Sequence, residues 1–280
     1  MLCYSPSHRP DNLRGTTPRR LQSSYAVFEP HWQVMVADGR ASGRAVWNGT
    51  VYDFSDASLY IEKNWGGAFP FKWYWAQCNS WSSTGTTPVR RLSITSGGGT
   101  RILPLGATED LGMVCVHVDG TFYEAVPWTS SMRWEVEPWG SWRLSGRTIE
   151  SSSAERPFEV ELTVKCDAPG VKLRAPTKAD GLAYFCRDSF EGEVELSLWD
   201  LVRGPDGKYV RAPDRPPVVD RATGFQCAVE VGGGPWWDKW EDDAKMREPM
   251  RTMVKAPYTL KKIKKWIGRT LGRGSNNGSK

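Results

Sequence analysis

Short runs of alternating apolar and polar residues, many closed by a turn dipeptide, recur along this chain from Val27 to Val231. Phe158-Glu159-Val160-Glu161-Leu162-Thr163-Val164 alternates strictly, and Glu193 to Trp199 does the same. A period of two puts every second side chain on one face, so these segments read as strands with one dry and one wet side. Trp32 to Ala37 runs into Asp38-Gly39, Ala45 to Trp47 into Asn48-Gly49, and Met113 to Val118 into Asp119-Gly120. Such dipeptides supply the left-handed backbone of tight hairpin turns. Trp73 to Cys78, Arg91 to Thr95, Arg133 to Val136, Trp142 to Leu144, Gly181 to Cys186 and Gly224 to Val231 complete the strand-like runs. Helical spacing is scarce before residue 238. Many short strands at this spacing predict an all-β antiparallel barrel or sandwich.

Composition narrows what such a fold does. The chain has 15 Trp, more than its 9 Tyr or 9 Phe. Tryptophan fills β cores, and it also lines cavities that take apolar or cationic ligands. No apolar run approaches the roughly 20 residues of a membrane-spanning helix. The net charge of +5 belongs to the ends: residues 1–20 carry four Arg against one Asp, and residues 255–280 carry eight cations and no acid. The body is therefore acidic, which argues against a nucleic-acid groove. The six Cys are scattered with no CxxC, and read mostly as reduced, buried, small hydrophobes. His8, His31 and His117 form no ligand pattern, so no metal is expected. Nucleotide and nucleophile-elbow motifs are missing, so no cofactor is expected either. The glycine runs Gly97-Gly98-Gly99 and Gly232-Gly233-Gly234 read as strand ends or turns where no Cβ fits. In the tail, Leu260, Ile263, Trp266, Ile267 and Leu271 stand at helical spacing opposite Lys261, Lys262, Lys264 and Lys265. This predicts a basic amphipathic helix over 257–271 suited to a negatively charged lipid surface.

A series of dense words is more specific than any of these. They include Glu29-Pro30-His31-Trp32-Gln33, Glu62-Lys63-Asn64-Trp65-Gly66-Gly67, Lys72-Trp73-Tyr74-Trp75-Ala76-Gln77-Cys78-Asn79 and Val114-Cys115-Val116-His117. Arg133-Trp134-Glu135-Val136-Glu137-Pro138-Trp139-Gly140, Cys186-Arg187-Asp188-Ser189 and Glu230-Val231-Gly232-Gly233-Gly234-Pro235-Trp236 follow. In order and spacing, from about Val27 to about Trp240, the series resembles the tocopherol cyclase family.

The resemblance implies a pair of lipocalin-like antiparallel barrels, a fold shared with carotenoid hydratases. The second barrel is expected to be complete and the first partial, followed by the short C-terminal amphipathic helix. The expected division is a disordered basic segment over 1–25, the partial first barrel and crossover over 26–145, the remaining barrel strands over 146–240, and the basic tail over 241–280. The resemblance also implies a redox-neutral ring closure. A phenolic oxygen of a prenylated quinol adds across the nearest double bond of its side chain, giving a chromanol. The setting implied is the chloroplast, at the plastoglobule or a similar lipid surface, with the transit peptide not present in this chain.

That chemistry needs an acid for the alkene, a surface that tolerates the tertiary cation, and a hold on the phenol. Glu62 is the first candidate acid, because its word resembles an Asp-His-Asn-Trp-Gly-type word of the hydratases. Asp188 is the second, and His117 is a candidate base. Asn64, Trp65, Trp73, Trp75, Tyr123, Trp134, Trp139 and His31 are the candidate substrate contacts. Alternation puts Trp73 and Trp75 on one face and Tyr74 on the other. Each also has a structural alternative: an ion pair for the carboxyls, a satisfied core position for the histidines and aromatics. A non-catalytic lipocalin-like binder of isoprenoid quinones would share barrel and tryptophans, but has no need of a buried carboxyl.

Overall fold

The computed structural model describes residues 2–3, 31–66, 69–83, 91–102, 106–152, 154–177, 181–233, 240–244, 248 and 251–252. Their strands are β1 (Leu2–Cys3), β2 (His31–Trp47), β3 (Thr50–Trp65), β4 (Lys72–Cys78), β5 (Trp81–Ser83), β6 (Leu92–Ile102), β7 (Thr108–Val118) and β8 (Thr121–Ala125). They continue with β9 (Ser130–Val136), β10 (Ser141–Thr148), β11 (Phe158–Lys165), β12 (Val171–Thr177), β13 (Gly181–Arg203), β14 (Tyr209–Arg211), β15 (Val219–Gly233) and β16 (Trp240–Ala244). The all-β antiparallel architecture read from the alternation is the one adopted; the short β1 alone pairs in parallel, with β2. The expected helix at 257–271 and all of the N-terminal segment except Leu2–Cys3 lie outside the described residues.

The main sheet has thirteen strands. Its path runs β16-β9-β10-β11-β13-β15-β4-β6-β7-β8, with β12 and β14 beside β13 and β5 beside β15. Its ends come round on each other, β16 alongside β7 and β8 alongside β9. The inner face of this barrel wall is a single apolar core drawn from most of the strands, with Tyr74, Ile94, Val116, Met132, Trp134, Val160, Leu196 and Leu198 almost fully buried. Aromatic rings cross it and rest on glycines. A Cβ on Gly98 would lie 2.4 Å from the Tyr74 ring, and one on Gly112 would lie 3.0 Å from the Trp134 ring. Gly97, Gly98 and Gly99 thus sit in mid-strand in β6, and at Gly98 the missing Cβ makes room for the Tyr74 ring laid across the sheet.

The outer face of β4, β6 and β7 is covered by a second sheet. β2 and β3 form a long hairpin closed by Asn48-Gly49, with φ values of 48° and 78°, the geometry that a two-residue turn between twisted strands requires. Asp119-Gly120 closes β7 onto β8 in the same way, with φ values of 46° and 83°. Asp38-Gly39 differs from the expectation. It is a register slip inside β2, between Val36 and Gly39, and the strand runs on past it. The runs read as separate strands at Gly181 and Glu193 likewise merge into β13, kinked at Gly192, where a Cβ would meet the Cys227 carbonyl at 2.7 Å. Trp32, Val34 and Ala37 of the hairpin pack on Met113 and Cys115 of β7 and on Val126 and Trp128, with Tyr60, Trp75 and Leu111 at the margin. One side of the hairpin is stitched to the barrel by polar bonds. Asn79 Nδ2 donates to the Leu59 carbonyl at 3.0 Å and Ser58 Oγ to the Asn79 carbonyl at 3.2 Å. Arg91 pairs with Asp38 at 2.8 Å.

Two outcomes follow from this packing. Gly98→Ala is expected to cost about 1–3 kcal/mol by overpacking and much less in a Tyr74→Ala background, a coupling that urea titration of the four proteins measures. Trp32→Ala removes the indole that seats the hairpin, at a cost on the order of 3 kcal/mol. Hydrogen exchange is expected to speed up across 31–65 while β10 and β11 stay protected.

Candidate active site

Strand register lines up one row of side chains on the outer face of the barrel wall. Asp188 of β13 lies opposite Glu230 of β15, Glu230 opposite Trp75 of β4, Trp75 opposite Gly97 of β6, and Gly97 opposite Met113 of β7. The neighbouring row on the same face holds Cys186, Gly232, Trp73 and Gly99. Gly232 is where the Trp73 ring lies: a Cβ there would be 2.0 Å from it. Phe69 stacks on that ring at 5.0 Å and Phe185 tilts against it at 6.2 Å.

Glu230 is the most perturbed carboxyl of this face. Its Oε1 accepts from Trp73 Nε1 at 2.5 Å. Burial pushes its pKa up to about 7; the Trp73 bond opposes the rise, the Asp188 charge adds to it, the Cys186 thiol opposes it and the Glu62 charge adds to it. Burial also pushes the Cys186 thiol up, with the Glu230 carboxylate reinforcing the shift, so the sulfur stays protonated and donates. Asp188 is likewise raised by burial, against a backbone bond from Ser189.

The hairpin supplies the facing side. Val34 and Trp32 pair with Glu62 and Asn64, so all four share the hairpin face turned to the barrel. Glu62 Oε2 accepts from Trp32 Nε1 and from the Tyr60 hydroxyl, each at 2.6 Å, and Oε1 accepts from Asn64 Nδ2 at 3.3 Å. Burial raises its pKa, and the three donors, Tyr60 first, hold the rise in check. The Tyr60 ring sits 5.9 Å from that of Trp75. Glu62, Tyr60, Trp75 and Glu230 thereby form one continuous contact from hairpin to wall.

Glu62, Asn64, Asp188, Trp73 and Trp75 are thus brought to one seam. The other candidates lie elsewhere. Trp134 is in the barrel core against Tyr74, with centroids 5.6 Å apart. Tyr123 is also in the core, edge-on to Phe158; its hydroxyl accepts from Arg156 at 3.2 Å, and burial raises its pKa. Trp139 donates to the Ala168 carbonyl at 2.6 Å, under the Arg187 guanidinium 4.2 Å from its ring. His117 is on the outer face but further along β7, stacked on Phe122 at 4.4 Å beside Asp38 and Arg91. Burial depresses its pKa, so it is neutral at pH 7. His31 and Trp65 stack at 5.2 Å on the far face of the hairpin, with Lys63 above the indole.

Glu230, Trp32 and Tyr60 are the contributors that sequence reasoning passed over. Glu230 stands alone among Cys227, Ala228, Val229 and Val231, and a lone carboxyl in such a run reads as the wet face of a strand. Five buried atoms on the same face have no hydrogen-bond partner among the described residues: Trp75 Nε1, Gln77 Nε2, Ser93 Oγ, Thr95 Oγ1 and Asp188 Oδ1. No group of His, Cys, Asp or Glu among the described residues is placed to hold a metal ion.

Comparison with known proteins agrees with the words picked out above. The family model described as tocopherol cyclase-like matches residues 9–233. The chain is 38% identical over 233 residues to the "Probable tocopherol cyclase, chloroplastic" of Oryza sativa subsp. japonica, covering 83% of this chain and 46% of that one. It is 35% identical over 243 residues to the "Tocopherol cyclase, chloroplastic" of Zea mays, covering 86% and 47%. The chain therefore spans about half the length of these curated relatives. No solved structure matches it. On the breadth of the family match, and on two relatives above 30% identity, the chain belongs to the tocopherol cyclase-like family.

Proposed function

We propose that this chain carries the ring-closing chemistry of a tocopherol cyclase: an isomerase that converts a phytyl-benzoquinol, such as dimethylphytylbenzoquinol, into a chromanol of vitamin E biosynthesis. One observation carries the reading. Three carboxyls whose proton affinity burial has raised, Glu62, Asp188 and Glu230, converge on the indoles of Trp73 and Trp75 in a sheltered seam. A carboxyl kept protonated near neutrality is a competent acid toward an alkene, a contribution of roughly 10²–10⁴-fold. An indole face next to the resulting tertiary cation adds about 0.5–2 kcal/mol. Substrate and product are isomers, so every proton taken from the protein returns to it.

The rival reading, a carrier of isoprenoid quinones, shares the barrel and the tryptophans. It offers no use for carboxyls held at such cost in a desolvated seam, and for that reason the enzyme is preferred. The chloroplastic relatives support a plastid location for this chain. Contact with a plastoglobule or similar lipid surface, through the basic stripe of 257–271, completes the proposal, since the substrate is lipid-borne.

The deciding experiment is incubation of the purified chain with dimethylphytylbenzoquinol in deuterated water. The expected product has the chroman skeleton and one carbon-bound deuterium, at the ring methylene derived from the protonated alkene carbon. Quinol that is bound but recovered unchanged would establish the carrier instead.

A further inference from the structure

We infer that Glu230 is the group that protonates the alkene, and that the side chains of Gln77, Thr95 and Trp75 beside it hold the quinol ring. The inference rests on the ring-closing reading above and assigns its parts. Gln77 follows Trp75 by two residues on β4, on the same face, and Thr95 of β6 is its direct partner in the ladder. Gln77 is 5% exposed and Thr95 1% exposed. Their Nε2 and Oγ1 atoms, with Trp75 Nε1, have no partner among the described residues. Buried polar atoms in folded proteins are otherwise nearly always hydrogen-bonded, so a contiguous patch of three points to a polar ligand group. The patch offers an amide N–H and an indole N–H, which only donate, and a hydroxyl that also accepts. That set suits the two hydroxyls of a quinol, whose oxygens accept and whose O–H groups donate. A bare polyprenyl chain would leave all three unsatisfied.

Glu230 adjoins this patch through Trp75. It differs from its two carboxyl neighbours in what faces it. Glu62 receives three donors from Trp32, Tyr60 and Asn64, which favour its ionised form. Glu230 is faced by Trp73 and Trp75 from β4, by Cys186 and the Asp188 carboxyl from β13, and by the Glu62 carboxyl from β3. Charge on either neighbouring carboxyl favours the protonated form of Glu230. In the step, its O–H bond breaks as the alkene π pair forms the new C–H bond, leaving a tertiary cation. A lone pair of the phenol oxygen closes the C–O bond, and the phenolic proton passes to the Glu62 carboxylate. Proton exchange within the carboxyl cluster and with solvent restores acidic Glu230. No oxidant or reductant takes part.

Because the acid form works, turnover is expected to fall as pH rises through about 7, where Glu230 gives up its proton. The same elevation means that the folded state loses stability as pH rises from the ordinary carboxyl range toward 7. Glu230→Gln therefore separates function from folding. With dimethylphytylbenzoquinol as probe, it is expected to turn over at least 100-fold more slowly, to bind the quinol as before, and to melt at pH 8 no lower than the parent. Gln77→Leu is expected to raise KM about tenfold with kcat little changed. If Glu230→Gln does not fold, Glu230→Asp carries the test: it keeps an acid at altered depth, so the midpoint of its activity against pH moves. Cyclisation by Glu230→Gln near the parent rate, an unmoved midpoint in Glu230→Asp, or an unchanged KM in Gln77→Leu would overturn the assignment. A parent chain that binds the quinol and never cyclises it would instead overturn the ring-closing reading itself.

Discussion

Two-sided burial of a few strands underlies everything else in this molecule. A barrel wall normally has one dry face and one wet face, and a carboxyl on the wet face titrates as it does in water. Here β4, β6 and β7 carry the barrel core on one face and the β2–β3 hairpin on the other. Met113 is thereby buried and Trp75 partly covered although both point away from the barrel axis, and Glu230 beside Trp75 feels the Glu62 charge of the hairpin. Desolvation is the first cause of the shift at Glu62, Asp188 and Glu230 alike.

The tryptophans divide along the same line. Trp134 and Trp142 fill the barrel, where their mass serves packing. Trp32 and Trp73 sit on the outer side and aim their indole N–H groups at carboxylates, at 2.6 and 2.5 Å. The space for Trp73 comes from Gly232 on the adjacent strand, just as Gly98 makes space for Tyr74 on the inner side. Glycine and aromatic partners across a ladder thus set ring positions on both faces of β4.

Much of the fold was legible in the chain. The strict alternation of Phe158 to Val164 matches its observed burial, Phe158, Val160, Leu162 and Val164 being inside. Trp73 and Trp75 do share one face with Tyr74 on the other, and Asn48-Gly49 and Asp119-Gly120 do close hairpins. Asp38-Gly39 has the same dipeptide chemistry but stays within β2, because long-range pairing with β3 resumes beyond it. The site was only half legible for a related reason. Alternation says which residues share a side, and says nothing about whether a second sheet covers that side. Nothing in the residues around Glu230 signals that its side is covered. Trp134 and Tyr123 looked available to a ligand, yet they are packed in the barrel core.

The hairpin and the barrel wall are separate sheets, with no ladder between them among the described residues. Side-chain bonds at Asn79, Ser58 and the Arg91–Asp38 pair fasten one flank. Elsewhere Trp32 packs with Val34 and Ala37 on the apolar cluster of Met113, Cys115, Val126 and Trp128, and Tyr60 lies beside Trp75. The two sheets are thus held together by side-chain packing and side-chain bonds, whereas the strands of each sheet are held by ladders. In the proposed reaction, admission of a bulky, water-insoluble quinol and exclusion of water would both fall to this packed boundary between two sheets. Four side chains on one flank, Asn79, Ser58, Arg91 and Asp38, thus bear on a seam that they do not line.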